Sequence, residues 1–121
     1  MKKFLVALSG AGLLCSVSTL TLAADIDAGK AAFQKFACAS CHGEDAKSST
    51  SPAYPILAGQ HADYLRHALK SYQRGQAGAP ATSNLRNNAV MGALVVQLSD
   101  EDIDNLAAWL STLPGPLGTR R

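Results

Sequence analysis

The chain has 121 residues, 47% of them hydrophobic, with eleven Lys+Arg set against nine Asp+Glu. A chain of this length holds one domain around one core and has little room for a second. The near balance of charge, with no clustered basic face, argues against nucleic-acid binding.

The chain opens with Met1-Lys2-Lys3, continues through the apolar stretch Phe4 to Leu22 and then reaches small residues. A charged head, an apolar middle and a small-residue end make a secretory signal. Cleavage is expected after Ala23, with Thr21 and Ala23 at the recognition positions; cleavage after Ala24 would use Leu22 and Ala24. Residues 1–23 therefore read as a removed signal and 24–121 as the working domain. The stretch approaches membrane-spanning length, roughly 17–25 residues, but Ser9, Gly10, Ser16, Ser18 and Thr19 interrupt it and no basic cluster follows. Cys15 follows Leu14 rather than a small residue, which weighs against a lipid anchor. Loss of Lys2 and Lys3 leaves nine Lys+Arg and nine Asp+Glu. Export also places the remaining cysteines in an oxidising compartment.

From Asp25 onward the pattern is helical. Asp27 reads as an N-cap, and Gly29, Ala32, Phe33 and Phe36 recur at i, i+3, i+4 and i+7 on a face that runs straight into Cys38. Gly29 inside a helix costs about 0.5–1 kcal/mol relative to Ala, which implies close approach of another backbone or ring. Residues 43–59, with Ser48-Ser49-Thr50-Ser51-Pro52 and then Pro55, read as a loop, in which Pro55-Ile56-Leu57 can lie against a buried surface. A second helix is expected from about His61 to Arg74, with Leu65, Ala68, Leu69 and Tyr72 inward and Arg66, Lys70 and Arg74 outward. Gly75 to Asn88 reads as an irregular loop of the length that is usually functional. It leads to a short apolar face at Met91, Leu94, Val95 and Leu98. The last helix starts at the S-x-x-D pattern of Ser99 and Asp102, carries Ile103, Leu106, Ala107 and Leu110, and stops at Pro114-Gly115-Pro116. The tyrosines and Trp109 are expected in the core. The expected class is all-α, with about four helices and no strand or repeat.

The chemistry lies in Cys38-Ala39-Ser40-Cys41-His42. C-x-x-C-H is the pattern of c-type haem attachment, in which two thiols form thioethers with the haem vinyl groups and the following histidine reaches the iron. Three other readings of the cysteines exist. A thioredoxin-like pair needs a β-α-β scaffold that these helices do not offer. A zinc site could recruit Cys38, Cys41, His61 and His67, but the gap exceeds the usual finger spacing. A plain disulfide leaves His42 unexplained. The mature chain holds one methionine, Met91, about fifty residues after His42. A lone methionine in an apolar stretch is usually a gap-filler. Beside a haem motif it becomes the candidate sixth ligand, since Met and His form the axial set of cytochromes c. His61 and His67 compete for that role and are expected at the surface or at a helix cap.

On these residues the chain resembles the class I monohaem c-type cytochromes, and especially small bacterial periplasmic proteins similar to one half of the dihaem kind. Gly29 and Phe33 match the glycine and aromatic of that family's first helix. Leu106 and Trp109 match the leucine and aromatic of its last, with Trp109 in place of the more usual Tyr. The stretches Tyr54 to Gln60 and Leu98 to Ile103 also look like that branch, as does Gly75. At Gln76-Ala77 the branch often carries a basic residue soon after the glycine, and this chain does not. The resemblance implies a small cytochrome c fold wrapped around one covalent haem c with its iron, held by Cys38 and Cys41 and ligated axially by His42 and Met91. It further implies the Pro55 carbonyl as acceptor for the free ring N–H of His42, where otherwise Pro55 merely turns a loop.

The implied function is a periplasmic single-electron carrier that turns over no substrate. Its partners would be redox donors and acceptors met transiently, and the mature form would be a monomer that spans no membrane. The alternative is a haem subunit permanently held by a dehydrogenase or oxidase; a ligand-binding or peroxidatic protein would need an open sixth position.

Overall fold

In the computed structural model, which describes residues 23–116, the chain forms α1 (Ile26–Lys35), α2 (Ala39–His42), α3 (Ala62–Gln76), α4 (Ala89–Val95) and α5 (Asp100–Thr112). A 3-10 turn covers Ala81–Ser83, and no strand occurs among the described residues. The export signal expected over residues 1–23 lies outside the described residues apart from Ala23. The helix beyond the expected four is α2, a single turn too short for a hydrophobic period to register.

Asp25 rather than Asp27 caps α1. Its side chain accepts from the Ala28 N–H at 3.0 Å, and its own N–H donates to the Asn105 side chain at 2.7 Å. Both aspartates are good caps locally, and the distant Asn105 decides between them. Asp27 falls in the first turn, where its charge suits the helix dipole.

The close approach expected of Gly29 is made by α5. A Cβ on Gly29 would stand 2.1 Å from the Asn105 carbonyl oxygen and 2.7 Å from the Trp109 Cβ. One turn on, the fully buried Phe33 ring meets Trp109 with centroids 5.0 Å apart and planes tilted by 53°. Tilted aromatic pairs at this separation add about 0.5–1.5 kcal/mol beyond the area they bury. The start of α5 is set by a full capping box: the Asp102 N–H donates to Ser99 Oγ at 3.1 Å, and the Ser99 N–H donates to Asp102 Oδ2 at 2.9 Å. The Ser99 hydroxyl, which donates to the Asp102 carboxylate at 2.7 Å, and then the Ser99 N–H hold that carboxyl below the usual carboxylate range.

The third helix packs on both α4 and α5 and brings Leu65 into the core beside Val95, Ile103, Leu106 and Leu110. Arg66 pairs with Asp104 and Asp63, and Lys70 with Asp100 at 3.2 Å, along the outer edge of the α3–α5 contact. Pairs this exposed contribute little, about 0–1 kcal/mol each. Of the tyrosines expected in the core, Tyr72 packs against it, whereas Tyr64 does not follow the expectation. Tyr72 and Tyr54 are half-buried, but Tyr64 is 47% exposed. It shares a helical row with Ala68 and Tyr72, four and eight residues on, and so stands at the rim of the buried stripe, partly in solvent. The loop after α2 is stapled to the other end of α5, where the Gly59 N–H donates to the Leu110 carbonyl at 3.0 Å.

The α1–α5 crossing has no room for a methyl group. Gly29→Ala is expected to destabilise the fold by about 1–3 kcal/mol or more through overpacking. A lowered denaturant midpoint at unchanged slope would register this, and an unchanged midpoint would refute the crossing geometry.

Candidate functional site

The site is built from helix ends. The first helix does not run unbroken into Cys38; it stops at Lys35 in a Schellman turn. The Ala37 N–H donates to the Gln34 carbonyl and the Cys38 N–H to the Phe33 carbonyl, both at 3.0 Å, while Ala37 is left-handed at φ 54°. An alanine there costs about 1–2 kcal/mol where glycine would cost nothing. No Gly or Asn advertises the stop, and so the periodicity conceals it. The turn makes Cys38 the cap of α2, whose His42 N–H donates to the Cys38 carbonyl at 3.0 Å.

Both cysteines are free thiols and half-buried. Burial pushes the Cys38 thiol up; a backbone hydrogen bond opposes this and charge on Cys41 adds to it. His42 is 5% exposed, and its Nδ1 lies 2.9 Å from the Pro55 carbonyl oxygen. A carbonyl only accepts, so Nδ1 carries a proton in this contact and Nε2 is the ring nitrogen left to serve as a ligand.

Pro55 comes within reach because the intervening loop folds on itself. Gly43, at φ 80°, opens a tight turn in which Asp45 accepts from the Ser48 N–H and Ser48 Oγ at 2.7 Å and from the Lys47 N–H at 3.0 Å. The buried Ala46 then offers its carbonyl to the N–H groups of Leu57 and Ala58 at 2.8 and 3.0 Å.

Met91 sits in the first turn of α4. Asn88 caps that helix, its Oδ1 accepting from the Val90 and Met91 N–H groups at 3.0 and 2.9 Å. At the other end of α4, Gln73 Nε2 donates to the Val95 and Leu98 carbonyls at 2.8 and 2.9 Å.

These elements enclose a cleft of about 280 Å³ whose walls include Cys38, Cys41, His42, Pro55 and Met91. The remaining surface is mainly apolar, from Phe33, Leu65, Leu69, Leu94, Leu98 and Leu106 among others. His61 and His67 are both exposed and line no part of it. That separates the second pair of the alternative zinc set from the first.

Residues 26–114 match the cytochrome c family profile. The chain belongs to the cytochrome c family. A cytochrome c-554(548) of Halomonas halodenitrificans is 40% identical over 62% of this chain and 82% of its own length. A thiosulfate dehydrogenase electron acceptor of Stutzerimonas stutzeri is 38% identical over 66% of this chain but only 33% of its own. In structure the chain resembles reduced recombinant cytochrome c4 from Pseudomonas stutzeri, at TM-score 0.66 and 35% identity, over 77% of this chain and 47% of that one. The chain thus spans about a third to a half of these longer relatives. The family carries covalently bound haem c, and its members transfer electrons.

The cleft fits that group in its donor set. Two free thiols sit one turn apart, an imidazole has its Nδ1 held by the Pro55 carbonyl, and a thioether stands in the same apolar wall. Among the polar lining residues, Tyr64, Arg86 and Asn88 were given no place at the site by the sequence. Asn88 carried a legible signal, as a good cap directly before Ala89-Val90-Met91. Arg86 and Tyr64 carried none, since only the fold brings them together.

The Asp45 turn that follows His42 is acid-sensitive. Its backbone and hydroxyl donors lower the Asp45 carboxyl from 3.8 to about 2. A depressed folded value means that this contribution is complete above pH 3.8 and disappears as pH falls towards 2. Asp45→Asn should flatten that dependence: the gap in melting temperature between wild type and variant should shrink over this window, and a constant gap would disprove it.

Proposed function

We propose that the protein is a periplasmic single-electron carrier, with one haem c attached through Cys38 and Cys41 and ligated by His42 and Met91. The observation that carries this reading is the convergence of the two thiols, the imidazole and the thioether on one apolar cleft. Bound there, haem c supplies a one-electron ferric/ferrous couple.

The chain's own part is to hold and tune that couple. The Pro55 carbonyl fixes the His42 tautomer and raises its basicity as a ligand. The Schellman turn and the α2 cap orient the thiols, and the Asn88 cap orients the first turn of α4 that carries Met91. Apolar walls and a thioether ligand favour the less charged reduced state. Thioether attachment keeps the cofactor from being lost after export, for which the N-terminal signal provides.

No substrate turnover is assigned to the protein, and it acts as a monomer that meets redox partners briefly. Brief docking suits an interface at the small end, below about 1,200 Å². Lys30, Lys35 and Lys47 are exposed, and the Lys35 ammonium lies 4.7 Å from the ring centroid of Phe36, which lines the cleft. They give partners a modest local positive field on a nearly neutral protein. No described helix is long and apolar enough to cross a membrane.

Met91→Ala should abolish the weak long-wavelength band of ferric His/Met haem and lower the midpoint potential, and an unchanged spectrum would refute the ligand assignment. Acid-acetone extraction of the purified protein should leave the haem on the polypeptide. Release of free haem would rule out the thioether bonds.

A further inference from the structure

A second recess, of about 340 Å³, opens beside the cleft between α3 and the excursion that follows it. Its walls are Tyr64, His67, Ala68 and Ser71 on one side and Asn84 and Arg86 on the other. Tyr64, Ala68 and Arg86 also line the cleft, so they form the partition between the two. Two guanidinium groups flank this recess. Arg86 lines it directly, and its N–H donates to the Ser71 carbonyl at 3.1 Å. Arg74 stands behind it, donating to Ser71 Oγ at 2.9 Å and to the Asn84 carbonyl at 3.2 Å. Ser71 is 3% exposed, and its hydroxyl donates in turn to the His67 carbonyl at 2.7 Å. One buried serine thus ties both arginines in place, through its backbone and its side chain.

All nine Asp and Glu side chains lie within the described residues, and none pairs there with Arg74 or Arg86. Asp63, Asp100 and Asp104 engage Arg66 and Lys70. Asp25, Asp45 and Asp102 accept from cap and turn donors, and Glu44 accepts from Gln34. Asp27 and Glu101 sit in the first turns of α1 and α5. Donors, by contrast, are left over. Of its five guanidinium N–H groups, Arg86 gives one to a side chain, the Tyr64 hydroxyl at 3.2 Å. His67 and Asn84 enter side-chain hydrogen bonds among the described residues only through their backbone carbonyls. Two like charges held close repel each other, and a lining of donors without a carboxylate is complementary to an anion. The donors stand on opposite walls, so a group with oxygens pointing several ways meets more of them than a single-atom ion does. The volume leaves room for such an ion to keep part of its hydration.

We infer that this recess binds a divalent tetrahedral oxyanion of the sulfate or phosphate class, and that Arg86, shared with the cleft, links its occupancy to the oxidation state of the iron. The site stands on its own residues, whereas the link rests on the haem reading proposed above. An anion against the partition favours the more positively charged ferric state. Coupling of this kind is reciprocal, so the ferric protein binds the anion more tightly and the anion lowers the potential.

The test titrates oxidised and reduced holoprotein with sodium sulfate and with sodium phosphate at neutral pH, sodium chloride holding the ionic strength constant so that screening does not change. The backbone N–H resonances of Ser71, Asn84 and Arg86 report binding. Two or three charge-assisted hydrogen bonds correspond to half-saturation on the order of millimolar. Both oxyanions should give saturable shifts at these residues that chloride alone does not, at a several-fold lower concentration in the ferric protein. Arg86→Gln should weaken binding about tenfold or more, the scale of one lost charge-assisted bond. His67→Ala, on an exposed helical position, and Asn84→Gly, which suits the left-handed φ of 52° there, should each weaken it several-fold and decide the matter if Arg86→Gln does not fold. Shifts that do not saturate, or equal shifts with chloride, overturn the site, as do His67→Ala and Asn84→Gly proteins that bind as tightly as wild type. Equal affinity in the two oxidation states overturns the link. A wild type without a His/Met spectrum would overturn the haem reading instead, and the sulfate titration of that protein still decides the site.

Discussion

The contact of Gly29 with the Asn105 carbonyl and the Trp109 Cβ sets how closely α1 and α5 cross, and the rest of the molecule takes its position from that crossing. It seats Phe33 against Trp109. Phe33 also accepts the Cys38 N–H through its carbonyl, so the same residue packs the crossing and ends the helix. Displacement of α1 along α5 would therefore move the thiols with it. At the far end of α5, Leu110 holds the loop that carries Pro55 through its bond to Gly59. One pair of helices thus governs both the attachment turn and the partner of His42.

The donor groups are placed by terminations more than by helix interiors. Cys38 begins a one-turn helix after a left-handed alanine, and Met91 stands in the first turn of another behind the Asn88 cap. Backbone at such points is directed by a few specific hydrogen bonds, each worth about 0.5–2 kcal/mol. Side chains fixed there hold their direction without a long element behind them. This is how a small all-α domain surrounds a large flat group while keeping its helices short.

Much of this was legible because it depends on local chemistry. Ser99 and Asp102 announce a capping box within four residues, and Gly29 opposite Trp109 announces a crossing because a missing side chain in a helix needs a reason. The C-x-x-C-H pattern, with the flanking helices, pointed to the family and to the all-helical class. The features that stayed hidden depend on distance or on an atypical residue. Asp25 and Asp27 are equivalent caps until the side chain of Asn105, eighty residues away, accepts the Asp25 N–H and decides between them. Ala37 occupies a conformation that alanine seldom signals. Tyr64 stands at the rim of the buried stripe rather than in the core, and its pairing with Arg86 arises only once the chain has looped back.

That return has a consequence for how the molecule tolerates change in length. The segment between Gly75 and Arg86 begins and ends at nearly the same place, with its exit held against Gly75 and Ser71. Its interior is braced at Ser83 and Asn84 by the Arg74 side chain, which belongs to α3. A closed excursion of this kind behaves as a module: doubling its length costs only about 0.6 kcal/mol in closure entropy, because the anchor points do not move. Insertions and deletions at residues 77–82 would therefore leave both Arg86 and Met91 in register, and this face of the protein could change shape without disturbing the wall of the cleft.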